Sequence, residues 1–152
     1  MRIPALCLLV MVASPASPSD PVSEAKDVVA SHEKFAMAND LDGVMSNMAD
    51  DIVVLTYGTP LIEGKPAFRE FYAALMGAGR MVFGHQYSGE HAIGDDLVEL
   101  HGVSRGTLTA ADGTISTFSN NFVHVMRRGN DGKLKFWRAT FAPDAIAPPS
   151  NN

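Results

Sequence analysis

Histidines are the residues of this sequence best suited to acid–base chemistry, because an imidazole titrates near neutral pH and the chain contains five of them. His85, Tyr87 and His91 are separated by even numbers of residues, which predicts that they share one face of a strand. Met81 and Phe83 lie on the same face and make it the more apolar one, so we expect it to point inward. His85 and Tyr87 are therefore candidates for lining a site. A histidine among apolar neighbours is also commonly a hydrogen-bonded core residue, and that alternative stays open.

Metal and cofactor chemistry has little support in the sequence. The histidines show no tight His-x-His or His-x-x-x-His spacing, so we predict no metal site. No nucleotide-binding motif, phosphate loop or nucleophile elbow is present, so no cofactor is predicted. The net charge of −5, with few clustered basic residues, argues against a nucleic-acid partner.

Residues 1–16 are typical of a secretory signal peptide. Arg2 gives a positive start, residues 3–13 are apolar, and Ser14 and Ala16 are small residues that favour cleavage after Ala16. The apolar run is about half of the roughly 20 residues that span a bilayer, so a membrane anchor is the weaker alternative. We expect a secreted or periplasmic protein without membrane contact after cleavage. Since Cys7 is the only cysteine, the mature chain would contain no thiol.

Helices are predicted first and strands afterwards, in the order α-α-β-β-α-β-β-β-β, within one domain at residues 28–143. This order predicts an α+β fold in which helices cover one face of a mostly antiparallel sheet. Residues 17–27 and 144–152, rich in proline and serine or asparagine, are predicted as a linker and a disordered tail. The predicted helices are Glu24–Ala38 with Ser23 as N-cap, a segment from Asp40 to Met48, and one opened by Pro66 that stops at Gly77 or Gly79. The predicted strands are Ile52 to Tyr57, Leu61 to Ile62, three long strands from Met81 onward, and Lys133 to Phe141.

Four sequence segments resemble the nuclear transport factor 2-like superfamily, in particular its SnoaL-like and ketosteroid isomerase-like branches. They are DLDG at residues 40–43, MADDIVV at 48–54, GKPAFREFY at 64–72, and NNFVHVM at 120–126 followed by DGKL at 131–134. The resemblance implies a cone-shaped barrel, formed by a curved sheet packed on three helices from the N-terminal half. It also implies a ligand pocket at the open end and a homodimer.

The same resemblance assigns residues to the positions that do chemistry in ketosteroid isomerase. Its register puts Thr56 at the position of the catalytic carboxylate, and a threonine hydroxyl cannot take a carbon-bound proton at neutral pH. A typical ketosteroid isomerase is therefore not expected. The register also puts His32 and Asn121 at the positions of the two oxyanion donors, where both could donate hydrogen bonds. We take His32, Asn121 and His85 as the candidate catalytic residues.

Aromatic residues supply the predicted contacts to a ligand. The family register implies that Phe71 on the third helix, and Trp137 and Phe141 on the last strand, face the pocket. They could stack on a flat apolar molecule or only fill a core. Tyr57 ends the first strand next to the turn, where its hydroxyl could reach the pocket mouth or face water. On the strand after Asp96, alternation predicts that the set containing Ser104 faces inward and that Glu99, His101 and Arg105 face outward.

Two functions are consistent with this sequence. The first is an isomerase, cyclase or dehydratase that polarises the carbonyl of a small apolar molecule through histidine and asparagine. The second is a binding module that holds such a molecule without turnover, or a dimeric scaffold.

Overall fold

Helices and strands follow one another in the predicted order in the computed structural model, which describes residues 20–144. The predicted signal peptide, residues 17–19 and the tail beyond Asp144 lie outside the described residues. None of the helices within this range is long and apolar enough to cross a membrane. The elements are α1 (Pro21–Met37), α2 (Leu41–Ser46), β1 (Met48–Thr56), β2 (Ile62–Glu63), α3 (Lys65–Ala78), β3 (Arg80–Ile93), β4 (Leu97–Thr109), β5 (Ile115–Arg128) and β6 (Leu134–Pro143).

Helix α1 begins earlier than the sequence pattern predicts. Its N-cap is Asp20, whose carboxylate accepts a hydrogen bond of 3.1 Å from the backbone N–H of Ser23. Pro21 fits the first turn, because its nitrogen has no hydrogen to leave unpaired there. Ser23 is therefore a helical residue and not the cap, and residues 21–27 belong to the helix and not to a linker. Proline and serine occur in linkers and at helix starts alike, so composition alone misassigned this segment.

The six strands form one sheet in the order β2-β1-β6-β5-β4-β3. Strands β1 and β6 run parallel, and the other neighbours are antiparallel. The predicted α+β class is confirmed, as a curved sheet that does not close on itself: β2 and β3 form its two edges. Helix α1 packs against β3, β4 and β6, and α3 packs against β1 and β2, so both helices cover the inner face.

The core lies between the helices and this inner face. On β5, Phe122, His124 and Met126 alternate inward and are at most 2% exposed. On β4, Ser104 is buried while Arg105 is exposed, as the alternation predicts. Burying a large apolar side chain such as Phe122 contributes about 1.5–3 kcal/mol to stability.

Two β-bulges invert the alternation beyond them. Tyr87 pairs with Gly102 while Gly89 pairs with His101, so Ser88 is an extra residue in β3. Likewise, Met126 pairs with Phe136 while Val125 pairs with Arg138, so residue 137 is extra in β6. An added residue re-aims the side chains after it. The predictions that His91 lies on the face of His85, and that Trp137 faces the pocket, are therefore corrected.

Candidate functional site

A cavity of about 280 Å³ lies between the helices and the inner face of the sheet. It exceeds the roughly 150 Å³ of an engineered apolar cavity that binds benzene. Most of its wall is aromatic or aliphatic, and no aspartate or glutamate of the described residues belongs to it. The cavity therefore suits an apolar molecule of about two fused rings.

Three histidines from different elements meet at this cavity. His32 comes from α1, His85 from β3 and His124 from β5, and all three belong to its wall. The ring centroids of His85 and His124 are 5.2 Å apart. Phe136 lies between His124 and His32, with its ring centroid 4.9 Å from that of His124 and 5.3 Å from that of His32. The side chains are almost completely buried, with exposures of 7% for the residue His32, 1% for the residue His124 and 2% for the His85 side chain.

Glu33, the neighbour of His32 on α1, fixes the orientation of His85. Its Oε1 atom accepts a hydrogen bond of 3.0 Å from the backbone N–H of His85 and lies 2.6 Å from the ring Nδ1. Because a carboxylate only accepts hydrogen bonds, Nδ1 is the protonated nitrogen of the neutral ring. The Nε2 atom then carries a lone pair and has no hydrogen-bond partner among the described protein groups. This is the arrangement of a general base held by a carboxylate.

Burial keeps these histidines uncharged. It lowers the pKa of His32 to about 3 and that of His124 well below its ordinary value, and in both cases the neighbouring His85 adds to the effect. Burial also lowers the pKa of His85, while its hydrogen bond to Glu33 and the charge of that carboxylate oppose the shift. Neutral rings can accept protons or hydrogen bonds, so the site provides a base and polar contacts in an apolar enclosure.

Uncharged donors complete the wall. The Tyr72 hydroxyl lies 3.3 Å from His32 Nε2, and burial raises the pKa of Tyr72, so it stays protonated. Ser104 and Asn120 contribute further polar groups to the same wall. These donors could stabilise negative charge that develops on a ligand oxygen.

Five of the residues predicted from the sequence lie on the cavity wall: His32, His85, Thr56, Phe71 and Phe141. Their catalytic and binding roles stay predictions. Sequence reasoning missed Glu33. This helix residue contacts His85 on a strand far away along the chain, and such a contact leaves no local pattern in the sequence.

Asn121 does not reach the cavity and is exposed on the outer face. Its neighbour Asn120 faces inward because it alternates with Phe118 and His124 on the buried face of β5. The same alternation of inward and outward residues, applied to β5, would have predicted that Asn120 and His124 face inward. The family register, which assigned Asn121, was wrong by one residue on this strand.

Three aromatic residues predicted to contact a ligand also lie elsewhere. Tyr57 follows the end of β1 and is 68% exposed. Tyr87 faces inward but lies beyond the cavity, where its ring packs against Phe122 and lies 5.2 Å from the ammonium group of Lys26. Trp137, turned outward by the bulge, donates a hydrogen bond of 3.1 Å to Asp51.

Comparison with known proteins relates the chain to one family. The family profile described as SnoaL-like domain matches residues 28–137. No curated protein matches the sequence significantly.

Solved structures show a similar fold at low sequence identity. A ketosteroid isomerase-like protein from Erwinia carotovora atroseptica has a TM-score of 0.75 at 16% identity, over 84% of this chain and 99% of its own. A nuclear transport factor 2-like superfamily protein from Salmonella enterica has a TM-score of 0.74 at 11% identity, over 90% and 99%. An NTF2-like protein of unknown function from Pseudomonas putida has a TM-score of 0.70 at 23% identity, over 85% and 89%. At these identities the similarity concerns the fold and not the chemistry.

Proposed function

Because the chain belongs to the SnoaL-like domain family, we propose that it binds an apolar, carbonyl-bearing small molecule in the cavity and moves a proton on it, with His85 as the base. The observation that carries this proposal is the free Nε2 atom of an imidazole whose other nitrogen is held by Glu33. A base with this tautomer is ready to accept a proton without rearrangement.

The proposed reaction begins when Nε2 of His85 removes a proton from the carbon next to the carbonyl. The electron pair of the broken C–H bond forms a carbon–carbon double bond, and the carbonyl oxygen becomes an enolate oxygen. Hydrogen bonds from Tyr72 and Asn120 stabilise this oxygen, and the Glu33 carboxylate stabilises the imidazolium. When a carbon–carbon double bond adjoins the deprotonated carbon, the negative charge extends over it as a dienolate. Return of the proton from His85 to the far carbon of that double bond then isomerises the molecule, and no cofactor takes part.

The size and character of the cavity wall favour one class of substrate. A flat ketone of one or two rings fits a volume of about 280 Å³, whereas a charged or sugar-like molecule would bury polar groups against apolar walls. Thr56 lies on this wall as a neutral hydroxyl, so the base must come from another residue than in ketosteroid isomerase.

The experiment has two readouts on the same protein, the chain from Ser17 onward. Thermal shift with β-tetralone, a flat bicyclic ketone, measures binding, since a ligand at 100 times its Kd stabilises by about 2.7 kcal/mol. Exchange of the protons next to the carbonyl in D₂O, followed by NMR, measures proton abstraction. We expect His85→Gln to keep the thermal shift and to slow the exchange by roughly 10²–10⁴-fold.

Asn121→Ala serves as the matched control for Asn120→Ala, because the two amides are neighbours on opposite faces of β5. Equal exchange rates in wild type and His85→Gln would contradict the role of His85.

A binding module without turnover is the second candidate, favoured by the absence of an aspartate or glutamate from the described cavity wall. A thermal shift by the ketone together with exchange at the buffer rate would support it.

Export through the predicted signal peptide and assembly as a homodimer belong to the proposal in either case. Secretion of a tagged full chain and light scattering of the mature chain test these two properties.

A further inference from the structure

A second histidine cluster lies on the outer face of the sheet, away from the cavity. His91, Glu99 and His101 each offer one ligand atom, and these three atoms lie within 4.8 Å of one another. The Nδ1 atom of His101 is 2.7 Å from Oε1 of Glu99, and the two imidazole rings stack with centroids 6.0 Å apart. The three side chains are partly exposed, so an ion can reach them from solvent.

The strand register brings these residues together. His91 pairs directly with Glu99 across β3 and β4, and His101 follows two residues later on the same face of β4. The bulge at Ser88 is what turns His91 outward, since without the extra residue it would share the inner face with His85. Bulges commonly re-aim a side chain next to a functional site.

Gly89 provides the space for the cluster. It lies directly opposite His101, and a Cβ atom at this position would overlap with the His101 imidazole. The missing side chain therefore lets the ring lie across β3, next to His91. A larger residue would displace this ring from its neighbours.

Among the described residues, no lysine or arginine pairs with the carboxylate of Glu99, whose close polar contact is the His101 ring. The cations that the neighbouring strands place on the outer face have other partners: Arg105 donates to Gln86, and Arg127 pairs with Asp51. A negative charge beside two imidazoles thus remains available to a cation.

We propose that His91, Glu99 and His101 bind a divalent transition-metal ion, Zn²⁺ in the first place. Two imidazole nitrogens and one carboxylate oxygen are ligands that Zn²⁺ uses, with a water molecule at the fourth tetrahedral position. On binding, the hydrogen bond between His101 and Glu99 is replaced by bonds from both groups to the ion, and the neutral His101 ring carries its single proton on the nitrogen that does not bind the ion. The site is independent of the proposed cavity chemistry, because it lies on the other face of the sheet.

Isothermal titration of chelator-treated, tag-free protein with ZnCl₂ tests the site. We expect one ion per chain, and an affinity that falls by at least about tenfold in His91→Ala, in Glu99→Gln and in His101→Ala. Titration with Co²⁺ adds a second readout, because tetrahedral Co²⁺ has a strong visible absorption.

Glu90→Gln is the matched control. It removes a neighbouring carboxylate that pairs with Lys26, and it should bind Zn²⁺ like the wild type. Circular dichroism in chelator checks that each variant is folded. Absence of stoichiometric binding in the wild type would overturn the proposal. Unchanged binding in the doubly substituted His91→Ala/His101→Ala protein would also overturn it, because the ion would then be held elsewhere.

Discussion

Mild acid should destabilise this protein strongly, because His32 and His124 are buried as neutral rings. Burial holds the folded-state pKa of His32 at about 3 and that of His124 well below its ordinary value. In the unfolded chain both rings have a pKa of about 6.5. Below that pH the unfolded chain binds protons that the folded protein does not bind. The contribution of the neutral rings to stability is therefore fully present above a pH of about 6.5, and it is lost as the pH falls toward the folded-state pKa.

The expected loss between pH 7 and pH 5 is about 2 kcal/mol for His32, and the burial of His124 adds a loss in the same direction. At pH 5 a group with an unfolded pKa of about 6.5 is protonated in the unfolded chain, which stabilises that state by about 2 kcal/mol, against about 0.2 kcal/mol at pH 7. His85, whose pKa burial also lowers, acts in the same direction. A loss of at least about 2 kcal/mol is a large part of the roughly 5–15 kcal/mol that stabilises a typical domain.

Urea unfolding at pH 7 and pH 5 measures this loss, with the fluorescence of Trp137, the single tryptophan, as the probe. His124→Leu replaces a buried ring by an apolar side chain and should reduce the pH dependence. His91→Gln removes an exposed imidazole on the outer face and should keep all of it. A wild-type loss below about 1 kcal/mol would refute the reasoning, and so would equal losses in the wild type and in His124→Leu.

Three further experiments test particular contacts. Asn120→Ala should reduce the thermal shift by β-tetralone and Asn121→Ala should not, because the cavity wall includes the first amide and not the second; equal shifts would argue against binding in this cavity. Asp20→Ala removes the N-cap of α1 and should lower the free energy of unfolding by about 1 kcal/mol, and an unchanged urea midpoint would show that the helix starts later. Gly102→Ala places a Cβ atom against the backbone of β3 and should destabilise by about 1–3 kcal/mol, whereas a neutral effect in the same assay would mean that the strands can separate there at little cost.

The fold was predictable because its signals are local. Glycine and aspartate turns separate the long strands, and the change of period from helical spacing to two marks the start of the sheet. The start of α1 was missed, since the residues around Pro21 occur in linkers as often as at helix starts. Only the hydrogen bond between Asp20 and Ser23 distinguishes the two cases.

The site was predictable only where the alternation is unbroken. From Met81 to Tyr87 it is continuous, and His85 lies on the cavity wall as expected. Beyond the bulge at Ser88 the alternation inverts, so His91 lies on the outer face and not on the cavity wall. A bulge is defined by pairing with another strand, so a single strand's sequence does not reveal it. The same reason applies to Trp137 in β6.

The three histidines of the cavity wall also indicate what kind of ligand the cavity should prefer. His32 Nδ1, His85 Nε2 and both ring nitrogens of His124 are buried without partners among the described protein groups. A neutral imidazole carries one N–H, so the unpartnered ring of His124 offers a donor to a ketone oxygen, whereas Nε2 of His85 carries only a lone pair. A buried polar atom without a partner costs about 1–3 kcal/mol, so a ligand oxygen that accepts from His124 recovers part of that cost. A hydrocarbon of the same shape recovers none of it. The ketone should therefore bind more tightly than its hydrocarbon analogue, although most of the contact area in both complexes is apolar.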